Sequence, residues 1–257
     1  MERFPSTYGT DLVVSFKFRC ISRAVTVPSL RGVSLWSGRL AACTRPDLAY
    51  SVSVLARFVS NPALEHFKAM QRVLVYLQCT AARPLIYKAT GAPLCAYSDA
   101  DWSERQSTSG AVFFVCGCAV AWYSRLQRCI AHSTAEAEFI GASMAAREGM
   151  FLRDVLRDLG YGPEGPTILY LDSKSAIDLA FDAVAFKKTK HVLRDAYFLR
   201  DLVMRLVYKP VHVCSADQLA DIQTKALPRI TFSRLVDMIV GVGSVDNLRR
   251  RLGSRRG

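Results

Sequence analysis

The stretch Leu94-Cys-Ala-Tyr-Ser-Asp-Ala-Asp-Trp102 joins an apolar run, typical of a buried strand, to two carboxylates at its end. Three further acidic segments occur along the chain: Ser133-Thr-Ala-Glu-Ala-Glu138, Tyr170-Leu-Asp-Ser173 and Ala216-Asp-Gln-Leu-Ala-Asp221. The Tyr170 segment also ends an apolar run, whereas the other two open amphipathic runs typical of helices. Carboxylates in such places can converge at one edge of an α/β sheet, where their oxygens would hold hard divalent cations.

The pattern around these segments predicts the fold class. Strands are predicted at residues 94–99, 111–116, 119–124, 167–171 and 206–213. Helices are predicted at about 134–159, directly after Asp172 with Ser173 as its cap, at about 189–205, and from Asp217 to Pro228. The order βββ-α-β-α-α-β-α indicates an α/β fold in which a mixed five-stranded sheet carries helices on its faces.

A helical hairpin is predicted before the sheet. Pro46 suits the start of a helix, Asn61-Pro62 interrupts the periodic pattern, and a second helical pattern follows. The periodicity is better explained by packing than by catalysis. We expect this hairpin to pack as an appendage outside the catalytic sheet.

Composition favours a polyanionic partner. The 257 residues carry a formal net charge of +12 with a pI near 9.5, and 51% are hydrophobic. Part of the excess charge lies at residues 248–257, which we interpret as a solvated tail. The eight cysteines form no CxxC pair and are expected to be buried thiols. With no apolar leader and no run long enough to span a membrane, the expected location is intracellular, cytoplasmic or nuclear.

Helix and strand geometry narrows the choice of carboxylates within each segment. Glu136 and Glu138 lie roughly 200° apart on a helix, so only one of them can face the sheet edge. Asp217 and Asp221 share a helix face, with Asp217 a turn closer to the fifth strand. Asp99 and Asp101 share a strand face, and spacing does not separate them. Taken singly, each acid also has a structural interpretation as a cap, a turn former or a partner of the helix dipole.

Residues from about 43 to 240 resemble the C-terminal part of the Pol polyprotein of copia-type retrotransposons. The segment Cys43-Thr-Arg-Pro-Asp-Leu-Ala-Tyr-Ser-Val-Ser-Val-Leu-Ala-Arg-Phe58 looks like the region just after that family's polymerase. Six blocks match its ribonuclease H domain in order: SDADW (98–102), STSG (107–110), STAEAEF (133–139), DSKSA (172–176), TKH (189–191) and ADQLADIQTKALP (216–228). The resemblance implies a ribonuclease H-like fold for the predicted sheet and helices.

The resemblance also implies four catalytic, metal-binding carboxylates. They are Asp99, Glu138, Asp172 and Asp217, although Asp101 and Asp221 remain alternatives to the first and last. His212 precedes Asp217 and is a candidate contact to product or phosphate, but a structural role is the simpler interpretation. The implied cofactor is Mg²⁺, with Mn²⁺ as the alternative, and the ions would lie roughly 4 Å apart across the scissile phosphate.

The implied function is hydrolysis of RNA in RNA–DNA hybrids, with strand selection by 2′-hydroxyl contacts and A-form shape. No block resembles the polymerase's catalytic motif, and the segments around 103–106 and 205–206 are shorter than the family usually has. These departures support an alternative, in which a truncated, inactive relic of the element only binds nucleic acid. A transposase or integrase of similar fold fits the acids but not the STAEAE and ADQLAD blocks.

The expected organisation has four parts. Residues 1–40 carry no assignment and are compatible with disorder, and residues 41–90 form the helical segment. Residues 93–228 form the ribonuclease H-like domain, and residues 229–257 form a C-terminal helix and basic tail.

Overall fold

The computed structural model describes residues 12–14, 38–88, 90–181 and 190–241. Its strands are β1 Leu12–Val14, β2 Leu85–Tyr87, β3 Cys95–Asp101, β4 Thr108–Val115, β5 Cys118–Leu126, β6 Thr167–Leu171 and β7 Tyr208–His212. Its helices, after a helical stretch at residues 38–43, are α1 Ala49–Ala56, α2 Leu64–Cys79, α3 Thr134–Asp158, α4 Lys174–Phe181, α5 Lys190–Met204 and α6 Arg229–Ile239. Short 3₁₀ turns occupy Pro46–Leu48, Ser215–Asp217 and Leu219–Gln223.

Five of the strands form one mixed sheet in the order β5-β4-β3-β6-β7. The β3–β4 and β4–β5 pairs are antiparallel, whereas β3–β6 and β6–β7 are parallel. The expectation of a mixed five-stranded sheet with flanking helices is confirmed. Because β3 and β6 are parallel, their carboxyl ends lie at the same edge. Their register pairs Tyr97 with Tyr170, so Asp99 and Asp172, each two residues further on, end up side by side.

Both faces of the sheet are covered. One face packs against α3, α4 and α5 in a core that contains Phe113, Phe139 and Leu169. The other face packs against α6 and the Leu219–Gln223 turn, and Tyr97 and Tyr170 stack there with ring centroids 4.5 Å apart. Burial on both faces explains why β3 reads as a nearly continuous apolar run rather than an alternating one.

The pair α1 and α2 has its own small core but is joined to the sheet. The Trp122 indole on β5 donates to the Ala41 carbonyl at 2.5 Å, and the Gln223 amide donates to the Pro46 carbonyl at 3.0 Å. The buried Arg45–Asp47 ion pair at 2.7 Å, with Tyr76 donating to Asp47, ties the Pro46–Leu48 turn to α2. The residues just before α1 are therefore joined by polar contacts both to the sheet and to the Leu219–Gln223 turn.

The α-helix predicted from Asp217 to Pro228 is wrong. Two 3₁₀ turns replace it because Gln218 between them has an extended backbone, with φ −73° and ψ 102°. The Gln218 side chain accepts from the Ala220 amide at 3.2 Å and donates to the Ser98 carbonyl of β3 at 2.9 Å. The segment is thereby held against β3 instead of coiling away from it.

Two further expectations can be compared with the structure. Burial of every cysteine is wrong, since Cys43, Cys79 and Cys214 are exposed, while Cys20 lies outside the described residues. Among the helices of the described ranges, none has both the length and the apolar character that crossing a membrane requires.

Candidate active site

Three carboxylates converge at the edge of the sheet where β3 and β6 end. Asp99 lies on β3, Asp172 directly follows β6, and Glu138 lies in the second turn of α3. One oxygen from each falls within 4.8 Å of the others. Asp99 is only 2% exposed, and the other two are half-buried. We call these three residues the acidic cluster.

The approach of α3 to β3 depends on a small residue near Glu138. A Cβ atom at Gly141, one turn further along the helix, would lie 3.3 Å from the carbonyl oxygen of Asp99. The absence of a side chain at Gly141 lets the helix pack closely on the strand. Ser133 caps the same helix by accepting from the Glu136 amide at 3.2 Å, which sets where its first turn begins.

The acidic cluster is charged and incompletely satisfied. Oε2 of Glu138 and Oδ1 of Asp172 are buried with no hydrogen-bond donor among the described residues. Buried acceptors of this kind call for an explanation, such as a bound ion. An oxygen-only donor set at this spacing suits a hard divalent cation such as Mg²⁺ or Mn²⁺. The residues present therefore fit a divalent metal.

Burial and mutual repulsion change the proton affinity of the acidic cluster. Burial raises the pKa of Glu138 to about 10, and the negative charges of Asp99 and Asp172 contribute to the rise. Burial also raises the pKa of Asp172, with Asp99 again contributing. Without a cation, Glu138 keeps its proton at pH values where a carboxyl group in water would have lost it.

A fourth carboxylate and a lysine reach the acidic cluster from the Leu219–Gln223 turn and the residues just after it. The Lys225 ammonium nitrogen lies 2.9 Å from Oδ1 of Asp221 and 3.6 Å from Oδ2 of Asp99. Burial raises the pKa of Asp221 to about 7, and the charge of Asp99 adds to this. Burial alone would lower the pKa of Lys225. The negative charges of Asp99 and Asp221 have the larger combined effect and raise it.

Close packing against β4 brings this segment to Asp99. A Cβ atom at Gly110, the register partner of Asp99, would lie 2.4 Å from Cβ of Gln223 and 2.8 Å from Cγ2 of Thr224. No larger residue fits at position 110 without moving the segment. In this position Thr224 donates its hydroxyl hydrogen bond to Oδ2 of Asp99.

Asp217 is not brought to the acidic cluster. Its carboxylate lies 3.1 Å from the Arg234 guanidinium of α6, which also donates to the Ala216 carbonyl. Asp221 takes the position beside Asp99 that the sequence suggests for Asp217. The Gln218 contact to β3 separates the two aspartates into different turns. The sequence did carry a signal for Asp221, because it lies among the apolar residues Leu219, Ala220 and Ile222, all of which prove to be buried.

The remaining candidates lie around the acidic cluster. Asp101 is exposed at the end of β3, and burial with a contribution from Asp99 raises its pKa. Glu136 accepts from the His132 amide at 2.8 Å and so serves the start of α3. His212 ends β7 with an exposed side chain. Of the TKH block, Thr189 lies outside the described residues, and nothing is described of the side chains at 190 and 191.

The sheet order, the covering helices and the carboxylates at the ends of β3 and β6 define a ribonuclease H-like domain. No protein-family model matches the chain. It is 36% identical over 206 residues to the retrovirus-related Pol polyprotein from transposon TNT 1-94 of Nicotiana tabacum, covering 79% of this chain and 15% of that one. It is 33% identical over 203 residues to the corresponding polyprotein from transposon RE1 of Arabidopsis thaliana, covering 77% and 14%.

The chain belongs to the retrovirus-related Pol polyproteins of copia-type retrotransposons. It spans about 15% of the length of each of these two polyproteins. Among solved structures, the N-terminal RNase H domain of rv2228c from Mycobacterium tuberculosis matches with a TM-score of 0.37 and 14% identity. That match covers 56% of this chain and 96% of the other.

Proposed function

We propose that this domain is a metal-dependent nuclease that hydrolyses the RNA strand of RNA–DNA hybrids. The observation that carries the proposal is the acidic cluster, in which oxygens of Asp99, Glu138 and Asp172 lie within 4.8 Å of one another at one sheet edge. Asp221, beside Asp99, is the fourth proposed ligand. The formal net charge of +12 supports a phosphate-rich substrate around this acidic centre.

The chain's own residues would prepare the site for this chemistry. The three carboxylates of the acidic cluster, with Asp221, would hold two Mg²⁺ or Mn²⁺ ions. When bound, these ions supply an activated water and stabilisation of the leaving oxygen. Thr224 would hold the Asp99 carboxylate in place through its hydrogen bond to Oδ2. Lys225, 3.6 Å from Asp99, would offer a positive charge to a substrate phosphate bound at the acidic cluster.

Selection of the RNA strand would depend on the shape of the hybrid. An A-form duplex displays its 2′-hydroxyls in a wide, shallow minor groove, and contacts to those hydroxyls distinguish RNA from DNA. Cleavage would therefore show little dependence on base sequence.

The test is incubation of the purified protein with an end-labelled RNA–DNA hybrid, with Mg²⁺ and with chelator, beside the Glu138→Gln variant. We expect cut RNA, intact DNA and no product with chelator or with the variant. Equal products from wild type and variant would assign the activity to a contaminant and refute the proposal. A wild-type protein that binds the hybrid without cutting it would instead support an inactive nucleic-acid-binding relic.

A further inference from the structure

A groove outside the acidic cluster runs between α2 and α6 and encloses about 860 Å³. Four basic residues line it: Lys68, Arg72, Arg83 and Arg229. No aspartate or glutamate is among its lining residues, and its apolar part includes Leu227 and Phe232. We call this surface the cationic groove.

Most of the positive charge in the cationic groove is available to a ligand. Lys68, Arg72 and Arg229 are exposed, and no ion pair between described residues involves them. Arg83 differs, because it lies 3.5 Å from Asp237 and donates to the Tyr76 hydroxyl at 3.3 Å. Three unneutralised cations along one concave surface attract a polyanion.

The arrangement of the charges suits an extended polymer. Lys68 and Arg72 are four residues apart on α2 and therefore share one face of the helix, facing Arg229 at the start of α6. The apolar side chains of Leu227 and Phe232 line the same groove. Cations bind phosphates while an apolar surface accommodates sugars, which is how proteins position a nucleic-acid backbone without reading its bases.

The cationic groove continues towards the acidic cluster. A second hollow of about 510 Å³ lies between the helical pair and residues 222–227, and it shares Arg72, Tyr76, Leu227 and Phe232 with the groove. Lys225 also lines this hollow, and its ammonium is the group 2.9 Å from Asp221. A strand lying in the groove would thus pass from Lys68 and Arg72 to the carboxylates.

We propose that the cationic groove binds the sugar–phosphate backbone of the nucleic-acid substrate beside the acidic cluster. The proposal rests on the nuclease function proposed above and assigns a substrate-binding role to the helical pair that precedes the sheet. Charge complementarity and continuity with the acidic cluster identify the occupant as a nucleic-acid backbone.

The test compares two double variants with equal loss of charge. Lys68→Gln with Arg72→Gln removes two groove cations. The control variant, Arg157→Gln with Arg205→Gln, also removes two exposed cations. Each of these arginines pairs with an aspartate one helical turn away, Asp154 and Asp201 respectively. Arg157 lies 19 residues beyond Glu138 on α3, about 28 Å along the helix axis. Arg205 lies near Val207, whose carbonyl binds the Thr167 amide at the start of β6, away from Asp172.

Binding of a labelled RNA–DNA hybrid is measured by fluorescence anisotropy in chelator, so that no cleavage occurs. We expect the groove variant to bind several-fold more weakly than wild type, with a slope of log K against log salt that is shallower by about two. The distant variant and Glu138→Gln should both bind more tightly than the groove variant. Melting curves verify that both double variants are folded.

If both double variants lost the same affinity for the hybrid, the loss would be due to net charge alone, and the proposal would be overturned. A groove variant that binds the hybrid as tightly as wild type would also overturn it. Polyglutamate that competes with the hybrid at equal charge concentration would also overturn it, because the groove would then bind acidic polypeptide as well. These binding measurements do not depend on turnover. If the wild-type protein failed to cleave, the proposed nuclease function would be refuted, but the binding data would still test the role of the groove.

Discussion

Lys225 lies four residues after Asp221, and its ammonium nitrogen is 2.9 Å from Oδ1 of that aspartate. The same ammonium is 3.6 Å from Asp99, so one lysine partly neutralises two buried carboxylates. Glu138 and Asp172 keep buried oxygens without donors despite this charge. The site therefore carries excess negative charge that protons or metal ions must balance.

The Asp172→Asn variant should lose hybrid cleavage, by about 100-fold or more, because a metal-ligand oxygen is removed. Its melting temperature without metal should equal or exceed that of wild type, since one repelling charge disappears at nearly constant volume. The Mg²⁺-induced rise in melting temperature should shrink, because metal stabilises the fold through ligands that the unfolded chain scatters. Ser173 caps α4 by accepting from the Ala176 amide at 3.2 Å, so Asp172 is not needed as a cap. A variant that melts clearly lower without metal would contradict this.

Stability of the metal-free protein should depend on pH through Glu138. Its pKa is raised from 4.5 to about 10 in the folded state, chiefly by burial. A raised folded pKa stabilises the fold below the unfolded pKa, and that stability is lost as pH rises towards the folded value. Glu138→Gln lacks this titration. In chelator, the melting temperature of Glu138→Gln should therefore rise relative to that of wild type as the pH is increased from about 5 to about 9. A difference that stays constant with pH would show that Glu138 ionises normally.

Asp221 and Asp217 should behave differently although only four residues separate them. Asp221→Asn should reduce both cleavage and the Mg²⁺-induced stabilisation, because Asp221 lies beside Asp99 in the charged centre. Asp217→Asn should leave cleavage near wild type and lower stability by at most about 1 kcal/mol, since it breaks a partly exposed pair with Arg234. Titration of Mg²⁺ against melting temperature separates the two variants. The reverse ranking would return the ligand role to Asp217.

The Gly110→Ala variant should be destabilised by about 1–3 kcal/mol through overpacking. The new methyl group would lie 2.4 Å from Cβ of Gln223 and would push the segment that carries Asp221 away from Asp99. Gly165→Ala is the matched control, because no atom lies within 4 Å of a Cβ placed there. Chemical denaturation of both variants measures the difference. Equal stability would mean that the segment moves without cost.

The acidic cluster was predictable because the order of the strands and helices, and the apolar runs next to the acids, can be recognised in the sequence. Asp99 and Asp172 end apolar runs, and parallel pairing of β3 with β6 brings the ends of those runs together. The choice of Glu138 over Glu136 required the family resemblance, because helix geometry allows only one of them to face the edge without saying which. Glu136 instead accepts from the His132 amide.

The position of Asp221 was less accessible to sequence reasoning. Gln218 donates to the Ser98 carbonyl, 120 residues away in sequence, and this contact replaces the expected helix with two short turns. The local pattern of apolar residues gives no indication of such a long-range hydrogen bond. The positions of Asp217 and Asp221 were therefore compared on a helix that does not form. The polar contacts of Ala41 and Pro46 with Trp122 and Gln223 were missed for the same reason.

The hydrogen bond from Gln223 to the Pro46 carbonyl joins residues 177 positions apart. Closing so long a loop costs chain entropy before any contact compensates for it, and contacts of this range slow folding. During synthesis Pro46 emerges 177 residues before Gln223, so this hydrogen bond cannot form until the intervening strands and helices have been made. We expect the segment that brings Asp221 to Asp99 to dock late, so that the charged centre is completed only after the strands of the sheet have been made.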